Sequence, residues 1–179
     1  SRLRDLRSVL RYLRERQDMR GSFVLWGDSL AAVNPKERGE AVPLDVENPN
    51  VYAEPTGGLL ALLGALFEND VKAVYASGGV ASFGSLLSSQ FLYVPHDSVV
   101  AGAATVGDVA DIAAAIAPCP LKIDNLVDGR NRQVLASAAA EAFVNARQAY
   151  QRHGFSGQLS VSAARDREAA VWLLAQIKK

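Results

Sequence analysis

Ser29 is the residue of this chain whose setting best suits nucleophilic chemistry. It closes the stretch FVLWGDS, in which an apolar run breaks at Gly27-Asp28-Ser29. A serine on a sharp turn between strand and helix presents its hydroxyl above a sheet, where small neighbours leave room for an acyl group. Gly27 and Ala31 are such neighbours, although a plain turn also accounts for Gly-Asp-Ser. A nucleophilic serine needs a base, and the chain has two histidines, His96 and His153. His96, followed by Asp97 in FLYVPHDSVV, falls in an irregular stretch where a histidine is either a base or a surface residue. His153 ends a long alanine-rich run, where an imidazole serves the last helix carbonyls. Cys119 is the sole cysteine, so the chain has no internal disulfide and no Cys/His zinc pattern. No phosphate loop, glycosidase carboxylate pair or metal cluster stands out, and no cofactor or metal is expected.

These residues depend on the elements that carry them. Leu3, Leu6, Leu10 and Leu13 recur at spacings of three and four among arginines, which predicts an amphipathic helix rather than a secretory signal. Residues 22–26 read as a buried strand. Residues 30–56, with Pro35, Pro43, Pro49 and Pro55, read as a long surface excursion. The run GGLLALLGALFENDVKAVYASGG predicts an apolar helix and then a strand over 71–76. Beyond an irregular stretch at 77–107, the pattern predicts a helix over 109–116 with Asp108 as its N-cap and a strand over 121–127. A helix over 132–152, a strand over 158–162 and a helix over 167–177 follow. This alternation predicts one α/β domain spanning 1–179, with a mostly parallel sheet between helix layers and its chemistry at the carboxyl edge. His96 falls on that edge, and His153 on the opposite one.

Three segments resemble a known family. LWGDS resembles the nucleophile elbow of α/β-hydrolases, with Ala31 in place of the last glycine, and GGLLALLGALFENDVKAVYASGG resembles the helix and strand that follow such an elbow. VGDVADIAAAIAPCPLKIDNLVDGRN resembles the D-(L/V)-x-D-(L/I)-A-A-x-I-A-P-x-P-L stretch of the acetyl xylan esterase-like and dipeptidyl-peptidase-like hydrolases. The resemblance runs from the first helix to the last and corresponds to the C-terminal half of a complete hydrolase domain. It implies an α/β-hydrolase-like fold truncated at its N-terminus and completed by a missing N-terminal half or a second chain. It also implies Ser29 as nucleophile, the Leu30 N–H as an oxyanion donor, and Asp128 as the acid that orients the histidine. Asp128-Gly129 is at the same time a turn signal, and Asp124, inside the strand, is the lesser candidate. The family carries its histidine just after the last strand, where this chain reads VSAARDREAAVW. A triad here requires a displaced base, and His96 is the candidate.

Two functions follow. One is a serine esterase acting on an ester or acylated carbohydrate. The other is a hydrolase-like module that has lost catalysis and serves as a binding or structural part of a larger protein. Tyr52, Phe83, Phe91 and Tyr93 either line a pocket or pack, and Arg130 and Arg132 either meet an acidic substrate group or form surface ion pairs. The 19 basic and 19 acidic residues balance without an extended basic run, which argues against nucleic acid as a partner. No apolar run approaches the roughly 20 residues of a membrane span. The family includes secreted and periplasmic enzymes, and the residues themselves leave the compartment open.

Overall fold

The computed structural model describes residues 2–19, 21–39, 47, 49–88 and 90–177. Four strands, β1 (Phe23–Gly27), β2 (Val71–Ser77), β3 (Leu121–Asp124) and β4 (Leu159–Val161), form one sheet in the order of the chain. Every neighbouring pair is parallel, with Gly27 opposite Ala76 and Ser77 opposite Asp124 at the carboxyl edge. Eight α-helices are described: α1 (Arg2–Glu15), α2 (Thr56–Phe67), α3 (Gly84–Leu87), α4 (Ala103–Val106), α5 (Val109–Ala115), α6 (Ala136–Ala142), α7 (Val144–Arg152) and α8 (Ala169–Ile177). Among the described residues no single helix is long and apolar enough to cross a membrane.

A strand order that never reverses, joined by crossovers of one hand, sends the connecting helices to one face. The packing agrees. Alternate β2 residues Val74 and Ala76 belong to the main core with Ala61 and Leu62 of α2, Ala113 of α5 and Ala146 and Tyr150 of α7. Ala73 and Tyr75 point the other way and meet α8 through Ala169, Leu173 and Trp172, with Val24 and Trp26 of β1 beside them. Among the described residues the sheet therefore carries helices on both faces, one thickly covered and one by α8 alone.

Local chemistry explains where elements differ from the sequence pattern. β3 stops at Asp124 because Asn125 turns into the left-handed region at φ 51°. Val127 instead bridges to Val80 and Gln133, which keeps residues 132–135 out of the helix expected there. That helix is also broken in two at Phe143, whose φ of −101° and ψ of 21° end α6 and start α7 while its ring is fully buried. Asp108 caps α5 as expected, in a capping box with Asp111.

Two glycines join β1 to α2. A Cβ on Gly27 would collide with the Gly57 carbonyl, and a Cβ on Gly57 would lie 2.5 Å from the Asp28 oxygen. α1 packs on α2 and is tied down by charge: Arg7 Nε donates to Glu68 at 2.7 Å, and Arg14 reaches both Glu68 and Asp70. The Glu68 carboxyl is held below its ordinary value chiefly by the Arg7 hydrogen bond, and that of Asp70 by Arg14.

Gly27→Ala is expected to destabilise by at least about 3 kcal/mol, because the obstruction is backbone. Gly58→Ala, whose Cβ would meet Ala76 at an ordinary 3.6 Å inside a helix, is expected to stabilise by about 0.5–1 kcal/mol. Urea unfolding of the two variants measures both. Because the Glu68 and Asp70 carboxyls are depressed on folding, their contribution is complete above the ordinary carboxylate range and is lost as pH falls through and below it. The melting temperature should fall below about pH 4.5, and Glu68→Gln should flatten part of that fall.

Candidate functional site

β1 delivers Ser29 to the carboxyl edge. The ladder continues one step beyond the strand, with the Ser29 N–H donating to the Ser77 carbonyl at 3.1 Å, and this seats the serine against Gly78. Gly78 holds φ +71°, and a Cβ there would lie 2.5 Å from that of Ser29. Ser29 is 4% exposed, and its Oγ accepts a hydrogen bond from the Ala31 N–H at 3.3 Å. Leu30 beside it is exposed. The chain then leaves on its excursion instead of entering a helix. The close Gly27/Gly57 approach nonetheless brings the first turn of α2 back against Asp28.

Three loops close over this edge and bond to one another. Asn34, 3% exposed, donates from Nδ2 to the Val51 and Arg130 carbonyls at 2.9 Å each, and its Oδ1 accepts from the Val51 N–H at 2.8 Å. Asn131, 2% exposed and at φ 55°, donates to the Ala32 and Val51 carbonyls. The Ala53 N–H reaches the Tyr93 carbonyl at 2.7 Å, and the Tyr93 N–H reaches that of Gly129 at 2.9 Å. The excursion is thus pinned to the loops after β2 and β3.

Asp128 belongs to this weave. Its Oδ1 accepts from the Arg130 and Arg132 N–H groups at 2.8 and 2.9 Å, closing its own turn. His96 lies in a short 3₁₀ turn with Asp97 and Ser98, exposed, and its side chain makes no described contact with Ser29 or Asp128. Asp97 pairs with Arg2, which also donates to Thr56 Oγ1 at 3.2 Å, and Thr56 Oγ1 lies 2.5 Å from Ser98 Oγ. Arg2, Glu54, Thr56, Asp97 and Ser98 line an open polar cleft beside Asp28 at the head of α2. His153 caps the end of α7. Ser29, Asp128 and His96 therefore share the carboxyl edge without forming a hydrogen-bonded chain.

A different polar group is assembled on the α8 face. Tyr75, fully buried, donates its hydroxyl to Asp124 at 3.0 Å, and Asp124, 1% exposed, accepts the Asp166 N–H at 2.8 Å. Burial first, with the charges of Asp124 and Asp28 nearby, pushes the Tyr75 phenol up to about 12, so it remains a donor. Lys122 pairs with Asp166 and holds that carboxyl below its ordinary value. Arg165, in the loop where the family resemblance implies a histidine, pairs with Asp28, whose other oxygen Oδ1 has no partner. Ser77 Oγ, fully buried, lies beside the Tyr75 hydroxyl. Asp124 rather than Asp128 thus faces the loop after β4. None of these partnerships is visible in spacing, because they join residues of different strands. Only the run of charge in AARDRE signals a loop with ionic work to do.

Cys119 is a poor nucleophile at neutral pH, because burial pushes its thiol up to about 11. Among the described residues no group of three His, Cys, Asp or Glu side chains is arranged to hold a metal. Phe83 and Tyr93 are core residues, whereas Tyr52 and Phe91 are exposed. Arg132 donates to the Arg38 carbonyl at 2.6 Å. No family model matches the chain, and no curated protein or solved structure matches it either.

Asn34→Ala and Asn131→Ala should each cost about 1–3 kcal/mol by orphaning buried backbone groups. Both bind the Val51 carbonyl, which either asparagine alone still satisfies, so the double variant should lose more than the sum, as a double-mutant cycle on urea unfolding reads directly.

Proposed function

We propose that this chain is an α/β-hydrolase-like module that has given up acyl transfer and acts as a binding or structural part of a larger protein. The carrying observation is the setting of Ser29. Its hydroxyl is buried and bonded to the Ala31 N–H, and neither histidine makes a described contact with it. A serine without a base is a poor nucleophile, and Asp128, which would orient a histidine, spends its Oδ1 on two backbone N–H groups and makes no described contact with either histidine. The resemblance itself rests on the sequence motifs, and the sequential parallel sheet is compatible with it.

The structural role is supported by β1. It is an apolar edge strand paired with β2 on one side and with no described strand on the other, and Trp26, Val171 and Leu174 are all about half exposed or more. Such an edge pairs readily with another polypeptide, whether an N-terminal half or a second chain. A ligand would enter the open polar cleft at the head of α2.

One observation favours the esterase reading, in which Ser29 attacks an ester or acylated carbohydrate, His96 is the base, Asp128 its partner and the Leu30 N–H an oxyanion donor. The first turn of α2 lies against Asp28 and offers its positive end to that edge. A fluorophosphonate probe followed by intact mass separates the two. The binding reading expects no adduct on the folded chain, and a stoichiometric adduct abolished by Ser29→Ala would establish the esterase instead.

A further inference from the structure

The arginines of α1 divide into two sets. Arg2, Arg7 and Arg14 each find a carboxylate of the chain, as does Arg16 just beyond the helix. Arg4 and Arg11 are exposed and, among the described residues, make no ion pair or hydrogen bond. They flank a groove formed with Leu3, Arg7 and Ser8 of α1 and with Phe67, the last residue of α2. Residues 4, 7, 8 and 11 share one helical stripe. Arg4 and Arg11 stand about 10 Å apart along the axis at 1.5 Å per residue. Phe67 is 51% exposed, and the Arg7 guanidinium lies 5.7 Å from its ring centre. Arg7 itself is half exposed while it is bonded to Glu68. Glu15, one turn past Arg11, is the acidic residue that follows on the same stripe, and it lies outside the groove lining.

We infer that this groove is a docking site for a short acidic peptide segment of a partner protein, carrying carboxylates about 10 Å apart with an apolar residue between them. Charge complementarity identifies the occupant. Two guanidiniums are uncompensated by the chain, and their planar forks suit bidentate carboxylates. The exposed phenyl ring between the charges offers an apolar contact that a bare polyanion would not use. A duplex or a membrane calls for a broad basic field, whereas here the charges of the whole chain cancel and the uncompensated pair is confined to one groove. The inference does not depend on whether Ser29 is active, since the groove lies on α1 and the end of α2.

The test is fluorescence anisotropy of the labelled peptide EEFEEFEE against the whole chain at low and moderate salt, with an oligothymidylate of equal charge, phosphatidylserine vesicles and the peptide KKFKKFKK alongside. Saturable, salt-sensitive binding of the glutamate peptide is expected. It should weaken about tenfold in the double variant Arg4→Gln/Arg11→Gln and stay unchanged in Arg16→Gln, whose side chain lies outside the groove. Because Arg4 and Arg11 make no ion pair or hydrogen bond among the described residues, the double variant should melt as the parent does, which shows that the loss is one of binding. Absence of saturable binding at low salt overturns the inference, as does equal binding by the double variant. Tighter binding of the oligothymidylate or the vesicles overturns it as well, by assigning the groove to another class of partner.

Discussion

Where β1 ends, the main chain of Gly57 lies so close to Gly27 that no side chain fits between them. This backbone contact sets the position of α2 on the sheet, and α2 in turn carries α1 through the Glu68 and Asp70 ion pairs. It also brings the head of α2 to the carboxyl edge, although a long excursion separates the two in sequence. The polar cleft, the seat of Ser29 and the packing of the first two strands all follow from it. A glycine at each partner position is the physical requirement, since any Cβ would have to displace backbone rather than a mobile side chain.

Above that contact the loops of the edge are joined to one another by hydrogen bonds to main-chain carbonyls. A reactive serine needs open space for substrate and a base in reach. Here the loops that would form a substrate mouth spend their polar groups on one another. Asn34 and Asn131 act as substitute backbone, Asp128 closes a turn, and the ionisable residues of the α8 face serve Asp124 and Asp28. The edge keeps the polarity of a functional site, but that polarity is directed inward.

The elements with strong periodicity were legible in the sequence: the leucine stripe of α1, the apolar run of α2, the strands β1 and β2, and the Asp108 cap of α5. Their hydrophobic pattern and their partners lie within a few residues. β3 is shorter than its apolar run predicts, because Asn125 in a left-handed turn is locally indistinguishable from a strand residue in such a run. The alanine-rich stretch read as one helix because nothing in its composition announces the break at Phe143, which is a demand of core packing. For the site, the placement of Ser29, His96 and Asp128 near one edge followed from topology. The Asp124 tether, the Arg165 pair and the two asparagine staples did not, because each joins segments distant in sequence and depends on how the loops fold back.

The Asn34 and Val51 pair has a consequence for how this chain tolerates change. The two ends of the segment between them are clamped together by a side chain that copies a backbone bridge, and the Arg38 and Gly39 carbonyls are held by Arg132 and Asn50. Closing a longer loop on a fixed pair of ends costs little, about 0.6 kcal/mol for each doubling of length. The clamp therefore makes this segment a natural insertion port: a foreign peptide or small domain grafted there would hang from the carboxyl edge while the sheet beneath it kept its register.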